Sequence, residues 1–412
     1  MESEVQEALD ILFLGKLFPK DIESDIKSKM KSGMQDAANA LQWNIIDGLD
    51  ANECGTIKIL DWLPVNSYPK GYTDKYIHEY VFQHTEKYKS DNKVVGSINI
   101  TILKQFLDYA PIKTEVVKWL KLDSHKKKVV ILYTASLVFL RIAKYIKKHY
   151  EMVQICCIIA DLLDFSSARE LKGIQKIYND YQALRCKKLY KYVDKFVLLT
   201  EQMAQKLEIQ SPYIVMEGIA QNDDVEVSEA LAEKYKNEKY ILYTGTLNYE
   251  FGIETLLKAF SLLQNKDVKL MICGFGAAEK AIKDLHDNRI IFLGRIDRSQ
   301  VLPLQRNAMV LVNPRQNNQE FTKYSFPSKT MEYLAAGVPV VAYKLEGIPD
   351  EYDDYIHYVP DNKPETLAAV LNDMCCLSEE ERQHIGERAK KFVLEEKNKI
   401  KQTKRILDFI TQ

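Results

Sequence analysis

From Lys239 onward the chain repeats one pattern: a short apolar run, a turn residue, then a segment with helical spacing. YILYT (240–244) ends at Gly245, VKLMIC (268–273) at Gly274 and IIFL (290–293) at Gly294, while MVLVNP (309–314) and VPVVAY (338–343) complete the series. Between the first two runs, Ile253, Leu256, Leu257, Phe260 and Leu263 share one helical face. Runs that are apolar throughout, rather than at alternate positions, belong to strands buried on both sides. Strand, turn and helix in regular succession predict a parallel sheet with helices on both faces.

The first half follows the same logic less cleanly. ILFLG (11–15), VVILYT (129–134), VQICCIIAD (153–161) and FVLLT (196–200) read as buried strands, with irregular, aromatic-rich segments from Trp43 to Thr101. A polar, acidic stretch from Pro212 to about Lys236 reads as a linker, and the end of the chain from Glu379 to about Phe409 reads as one long charged helix. A length of 412 residues suits two domains. The expectation is an α/β protein of two Rossmann-like domains facing a cleft. They span residues 1–218 and 219–395, and a C-terminal helix, about 396–412, crosses back to the first.

Charge and cysteine usage exclude several classes. With 57 basic and 58 acidic side chains there is no global field to gather nucleic acid. Seven cysteines, an odd number, lack the CxxC or Cys/His spacing of a zinc site. Three of them, Cys156, Cys157 and Cys273, lie in apolar runs, which implies a reducing, cytoplasmic setting. The acidic N-terminus is no secretory signal, and the longest apolar run, 129–140, falls short of the roughly 20 residues a membrane span needs. Basic, aromatic segments at 126–128, 141–150 and 186–196 suit either a solvated helix face or peripheral contact with an anionic membrane. The seven histidines show no metal-ligand spacing, so no metal is expected.

Ligands of open parallel sheets sit at the carboxyl ends of the strands, which directs attention to the residues just after each run. The richest is NPRQNNQEFTKYSFPSKTMEYLAAGVPVVAY (313–343). Pro327 opens a helix whose first N–H groups, on Ser328 and Lys329, face outward as an anion site. Lys329 adds a mobile cation, and Glu332 lies one turn on, where a carboxylate can accept from a ribose diol. Gly337 and Pro339 end the helix. Taken alone, the helix also suits a capped element with solvated charges. Gly274-Phe275-Gly276 lacks the third glycine of a dinucleotide fingerprint, Glu279 standing there, so a tight turn accounts for it equally. Arg295 follows Gly294, where backbone could read a base edge or the side chain could join an ion pair. In the first half, Gly15 ends its strand ahead of LFPKD, and Asp161 and Asp164 follow theirs, where helix capping is the competing account.

The 313–343 stretch resembles the donor-site signature of retaining glycosyltransferases of family four, bacterial polysaccharide-biosynthesis type. Glu332 and AAGVPVV (335–341) stand in place. YTGTLNYEFGIETLLKAF (243–260), ICGFG (272–276) and the segment 290–314 are similar to that family's first strand and helix, glycine turn and base-binding segment. The resemblance covers about 239–395 well and the first half weakly, through Gly15, DKFVLLTEQM and YIVMEGI. It implies the GT-B fold, with Gly15, Gly245, Thr246, Gly274, Arg295, Tyr324, Ser328, Lys329 and Glu332 as donor-binding residues. It also implies a saccharide or lipid-linked acceptor, which favours contact with the inner face of the cell membrane.

The chain departs from the family at three charges. Tyr324 stands where the first Glu would fall, Thr246 for the Arg, and Phe251 for the Lys. Glu320 is the nearest acid, and Lys329, with Lys323 or Arg315, is the candidate replacement cation. Lys329, Asp161 and Glu320 form the expected catalytic set. The implied reaction is transfer of a hexosyl unit from a UDP- or GDP-sugar to a hydroxyl with retention and without metal. A non-catalytic GT-B subunit and a nucleotide-sugar 2-epimerase are the alternatives.

Overall fold

A computed structural model describes residues 8–31, 36–101, 107–162, 174–220 and 227–412. It divides into two units, residues 1–216 with 399–412, and residues 217–398.

The first unit is built on β1 (Leu9–Gly15), β2 (Gly55–Asp61), β3 (Tyr76–Ile77), β4 (Tyr80–Phe82), β5 (Asn92–Val94), β6 (Ser97–Ile98), β7 (Lys127–Tyr133), β8 (Gln154–Ile159), β9 (Lys195–Leu198) and β10 (Tyr213–Val215). Eight of these form one sheet in the order β10-β9-β8-β7-β1-β2-β5-β4, parallel except for β4, and β3 pairs with β6 separately. The central strands are buried along their length, from Ile11 to Leu14 and from Val129 to Leu132. That accounts for their unbroken apolar runs.

The region from Trp43 to Thr101 is more regular than its composition predicts. Trp43 lies in the helix Asp36–Ala51, and β2 to β6 follow. These strands escape notice because most are two or three residues long and carry polar neighbours, too short to display a period.

The second unit carries β11 (Tyr240–Thr246), β12 (Lys269–Phe275), β13 (Ile290–Gly294), β14 (Val310–Asn313), β15 (Val340–Tyr343) and β16 (His357–Val359). They make a six-stranded sheet, order β13-β12-β11-β14-β15-β16, with every pair parallel. The helix Ile253–Ser261 buries Ile253, Leu256, Ala259 and Phe260 in the core of this unit. β16, a three-residue strand, was not legible as one.

The single long helix expected at the end of the chain is two helices, Glu379–Glu396 and Lys399–Thr411. The first starts with a capping box between Ser378 and Glu381. It ends because the Asn398 amide turns back to the carbonyls of Leu394 and Glu395, at 2.9 and 3.0 Å. The second packs on Asp36–Ala51 so closely that a Cβ on Gly48 would lie 2.5 Å from the Lys399 carbonyl. No helix among the described residues is long and apolar enough to cross a membrane.

Candidate functional site

The parallel sheet of the second unit brings the ends of β11, β12, β13 and β14 to one edge. Gly245 and Gly274 are neighbours in register there. Gly274 has φ +149°, and a Cβ on it would sit 1.8 Å from the Gly245 carbonyl oxygen, so only glycine fits. Thr246 is exposed at the end of β11. Arg295 is exposed beyond β13, with its guanidinium 5.1 Å from the ring centroid of the exposed Phe275.

The helix Ser328–Ala335 starts at the same edge. Pro327 is its N-cap residue, and Thr330 N–H is already bonded to the Pro327 carbonyl. The N–H groups of Ser328 and Lys329 make no hydrogen bond among the described residues, as the first amides of a helix do when left for solvent or a ligand. Glu332 lies one turn in, with a side chain 14% exposed. Its Oε1 accepts from the Gln305 amide at 2.6 Å and from Lys329 Nζ at 2.8 Å, and Arg298 stands 3.5 Å from Oε2. Burial pushes the Glu332 carboxyl up, but Lys329, Arg298 and Gln305 outweigh it and hold the carboxyl below its ordinary value.

Gln305, fully buried on the helix Arg298–Arg306, is a site residue that sequence reasoning missed. Its amide also donates to Thr244 Oγ1 at 3.2 Å. The Tyr333 hydroxyl accepts from Thr244 N–H at 2.8 Å and donates to the Thr244 carbonyl at 3.1 Å. Strand β11, the helix Arg298–Arg306 and the helix Ser328–Ala335 are thus joined through Thr244, and the join aims Glu332. The signal was present: Gln305 falls on the same face as the buried Val301, Leu304 and Ala308, a polar residue in an apolar stripe.

Other expected residues are placed less centrally. Tyr324 and Glu320 share the 3-10 segment Glu320–Tyr324, with the tyrosine hydroxyl donating to Glu320 at 3.4 Å. Lys323 is paired with Glu346 at 2.9 Å. In the first unit Gly15 is buried at the end of β1. The amides that follow it are engaged internally: Lys16 N–H bonds to Gln42, Leu17 N–H to Asp61 and Phe18 N–H to Asn39, at 2.7, 2.7 and 2.8 Å. That loop therefore does not offer its amides to a phosphate. Asp161 is exposed beyond β8 in the first unit, and Asp164 lies outside the described residues. Among the described residues no group of three or more His, Cys, Asp or Glu could hold a metal ion.

Residues 225–392 match the model of the glycosyl transferases group 1 family. This segment is similar to a group 1 glycosyltransferase domain. Two curated relatives match over the same share of the chain. An uncharacterised glycosyltransferase of Methanocaldococcus jannaschii is 29% identical over 39% of this chain and 41% of its own length. The N-acetyl-alpha-D-glucosaminyl L-malate synthase of Bacillus anthracis is 26% identical over 39% and 42%. The match thus spans about two fifths of each relative. Among solved structures, an alpha,alpha-trehalose-phosphate synthase (UDP-forming) from Burkholderia xenovorans, in complex with glucose-6-phosphate, covers 98% of this chain and 100% of its own, with TM-score 0.65 and 12% identity. That likeness extends the GT-B fold to the first unit. The matched segment includes the Thr244–Gln305–Glu332 join and the open amides of Ser328 and Lys329.

Proposed function

We propose that the chain transfers a hexosyl unit from a nucleoside diphosphate sugar to an acceptor hydroxyl, with retention at the anomeric carbon and without a metal ion. One observation carries the reading: a buried, ionised Glu332 held by Gln305 and Lys329 one turn from the unbonded amides of Ser328 and Lys329. A carboxylate so held accepts hydrogen bonds from a ribose diol, and open amides at a helix start receive a diphosphate. The bond from the anomeric carbon to the diphosphate breaks, a bond to the acceptor oxygen forms, and the acceptor proton passes to the leaving phosphate. No side-chain nucleophile is required. Arg295, at the end of β13, is the residue for the base edge. A UDP-forming trehalose-phosphate synthase among the fold neighbours, and an N-acetyl-alpha-D-glucosaminyl L-malate synthase among the relatives, support a sugar nucleotide as donor. We place a saccharide or lipid-linked acceptor on the other side of the reaction, with the basic segments of the first unit contacting an anionic membrane.

Calorimetric titration with UDP, GDP and ADP, with and without magnesium, tests this. The expected result is binding of one nucleotide, unchanged by magnesium or by EDTA. Absence of binding by all three would favour a non-catalytic GT-B subunit, a reading motivated by Thr246 and Phe251 at positions where the family carries cations.

A further inference from the structure

Arg315 follows β14 at the same edge of the sheet, and its environment is unusual for a guanidinium. Its centre lies 4.5 Å from the ring centroid of Phe251 and 5.7 Å from that of Phe321. The two rings meet edge to face at 6.2 Å. Among the described residues no carboxylate pairs with it, in contrast to Lys329 with Glu332, Lys323 with Glu346 and Arg298 with Glu332. It also lies close to Tyr243, whose hydroxyl donates to the Thr246 carbonyl at 2.8 Å. Burial pushes that hydroxyl up to about 12, and Arg315 opposes the shift. Desolvation likewise draws the Arg315 guanidinium down from its ordinary value.

The backbone fixes this placement. Gly252, at φ +82°, packs against the carbonyl of Pro314, where a Cβ would come within 1.9 Å. The contact docks the 3-10 segment Tyr249–Phe251 directly beside Arg315. A partly desolvated cation is stabilised by each ring it stacks on, but rings cannot neutralise it. Such a group retains an unmet demand for an anion, and a planar fork of donors matches phosphate oxygens in pairs.

We infer that Arg315, stacked on Phe251 and Phe321, is the cation that binds the donor diphosphate in this chain. It enters from the strand beside β11 and takes over the charge absent at Thr246 and Phe251. Phe251 then supports the cation instead of supplying one. This inference rests on the proposed donor site, and the experiment separates the two.

Wild type, Arg315→Gln and Arg315→Lys are titrated with UDP, GDP and ADP and with uridine, guanosine and adenosine. For whichever base binds, Arg315→Gln is expected to lose about tenfold or more in diphosphate affinity with nucleoside affinity unchanged, the fold-change of one charged hydrogen bond. Arg315→Lys is expected to fall between. Nucleoside binding reports that the variant is folded. Equal diphosphate affinity in wild type and Arg315→Gln overturns the assignment, as does a parallel loss for nucleoside and diphosphate, which would make Arg315 structural. If wild type binds none of the six, the donor-site reading itself fails.

Discussion

Lys397 Nζ and Glu217 Oε1 are 2.7 Å apart, and both residues are 3% exposed. The Tyr352 hydroxyl donates to the same Glu217 oxygen at 2.6 Å, and Lys397 also reaches Glu351. Glu217 opens the second unit and Lys397 stands one residue before its end. Ala220 N–H bonds to the Lys397 carbonyl at 2.8 Å. The two points where the chain passes between units are therefore tied together inside the second.

Removing one partner of a buried pair strands the other charge. Lys397→Met is expected to lower unfolding stability by about 3–5 kcal/mol. The double variant Lys397→Met/Glu217→Gln should recover part of that loss. Urea unfolding curves check both, and a loss in Lys397→Met below about 1 kcal/mol, the range of an exposed pair, would contradict the burial argument.

Glu332 gives a pH dependence with a defined sign. Its folded carboxyl lies below the ordinary value of 4.5, so the unfolded chain binds more protons as acid is added. The stabilisation is present above 4.5 and is lost as pH falls through the lower folded value. Melting temperature against pH should show a steeper acid limb in wild type than in Glu332→Gln. Parallel limbs would mean that the carboxyl is not held down.

Glu332→Ala should weaken binding of both nucleoside and nucleoside diphosphate by about 1–3 kcal/mol, the worth of charged hydrogen bonds. Calorimetry measures this, and unchanged affinity removes Glu332 from the donor site.

Gln305 touches Glu332 and Thr244 but not solvent. Gln305→Leu should leave the fold in place, raise the Glu332 carboxyl and weaken nucleoside binding. The acid limb of the binding-versus-pH profile should move to higher pH. A profile that does not move would assign Gln305 to packing alone.

Gly252→Ala should cost at least about 1–2 kcal/mol for the left-handed backbone alone, before the clash with Pro314. Because that contact docks Phe251 beside Arg315, diphosphate affinity should fall more than nucleoside affinity. Chemical unfolding and titration of the same variant check the two halves.

The sequence alone determined that this chain builds parallel sheets covered by helices. Apolar runs such as 129–132 and 240–244 need burial on both faces, and that requirement is local to each run. It also marked the helix opened by Pro327 and closed by Gly337, and the carboxylate of Glu332 one turn inside it. Only the tertiary structure decided what each polar side chain meets. Gln305 reached Glu332 across 27 residues of sequence, Arg315 found Phe251, and Lys397 found Glu217. The Asn398 amide, turned back on Leu394 and Glu395, ended the first of two helices that charge pattern read as one. The amides after Gly15, open in sequence, turned inward to Gln42, Asn39 and Asp61. The division has one physical cause. Periodicity and capping act within a few residues along the chain, while the partner of a buried charge or amide is set by strands and helices that meet only once the core has closed.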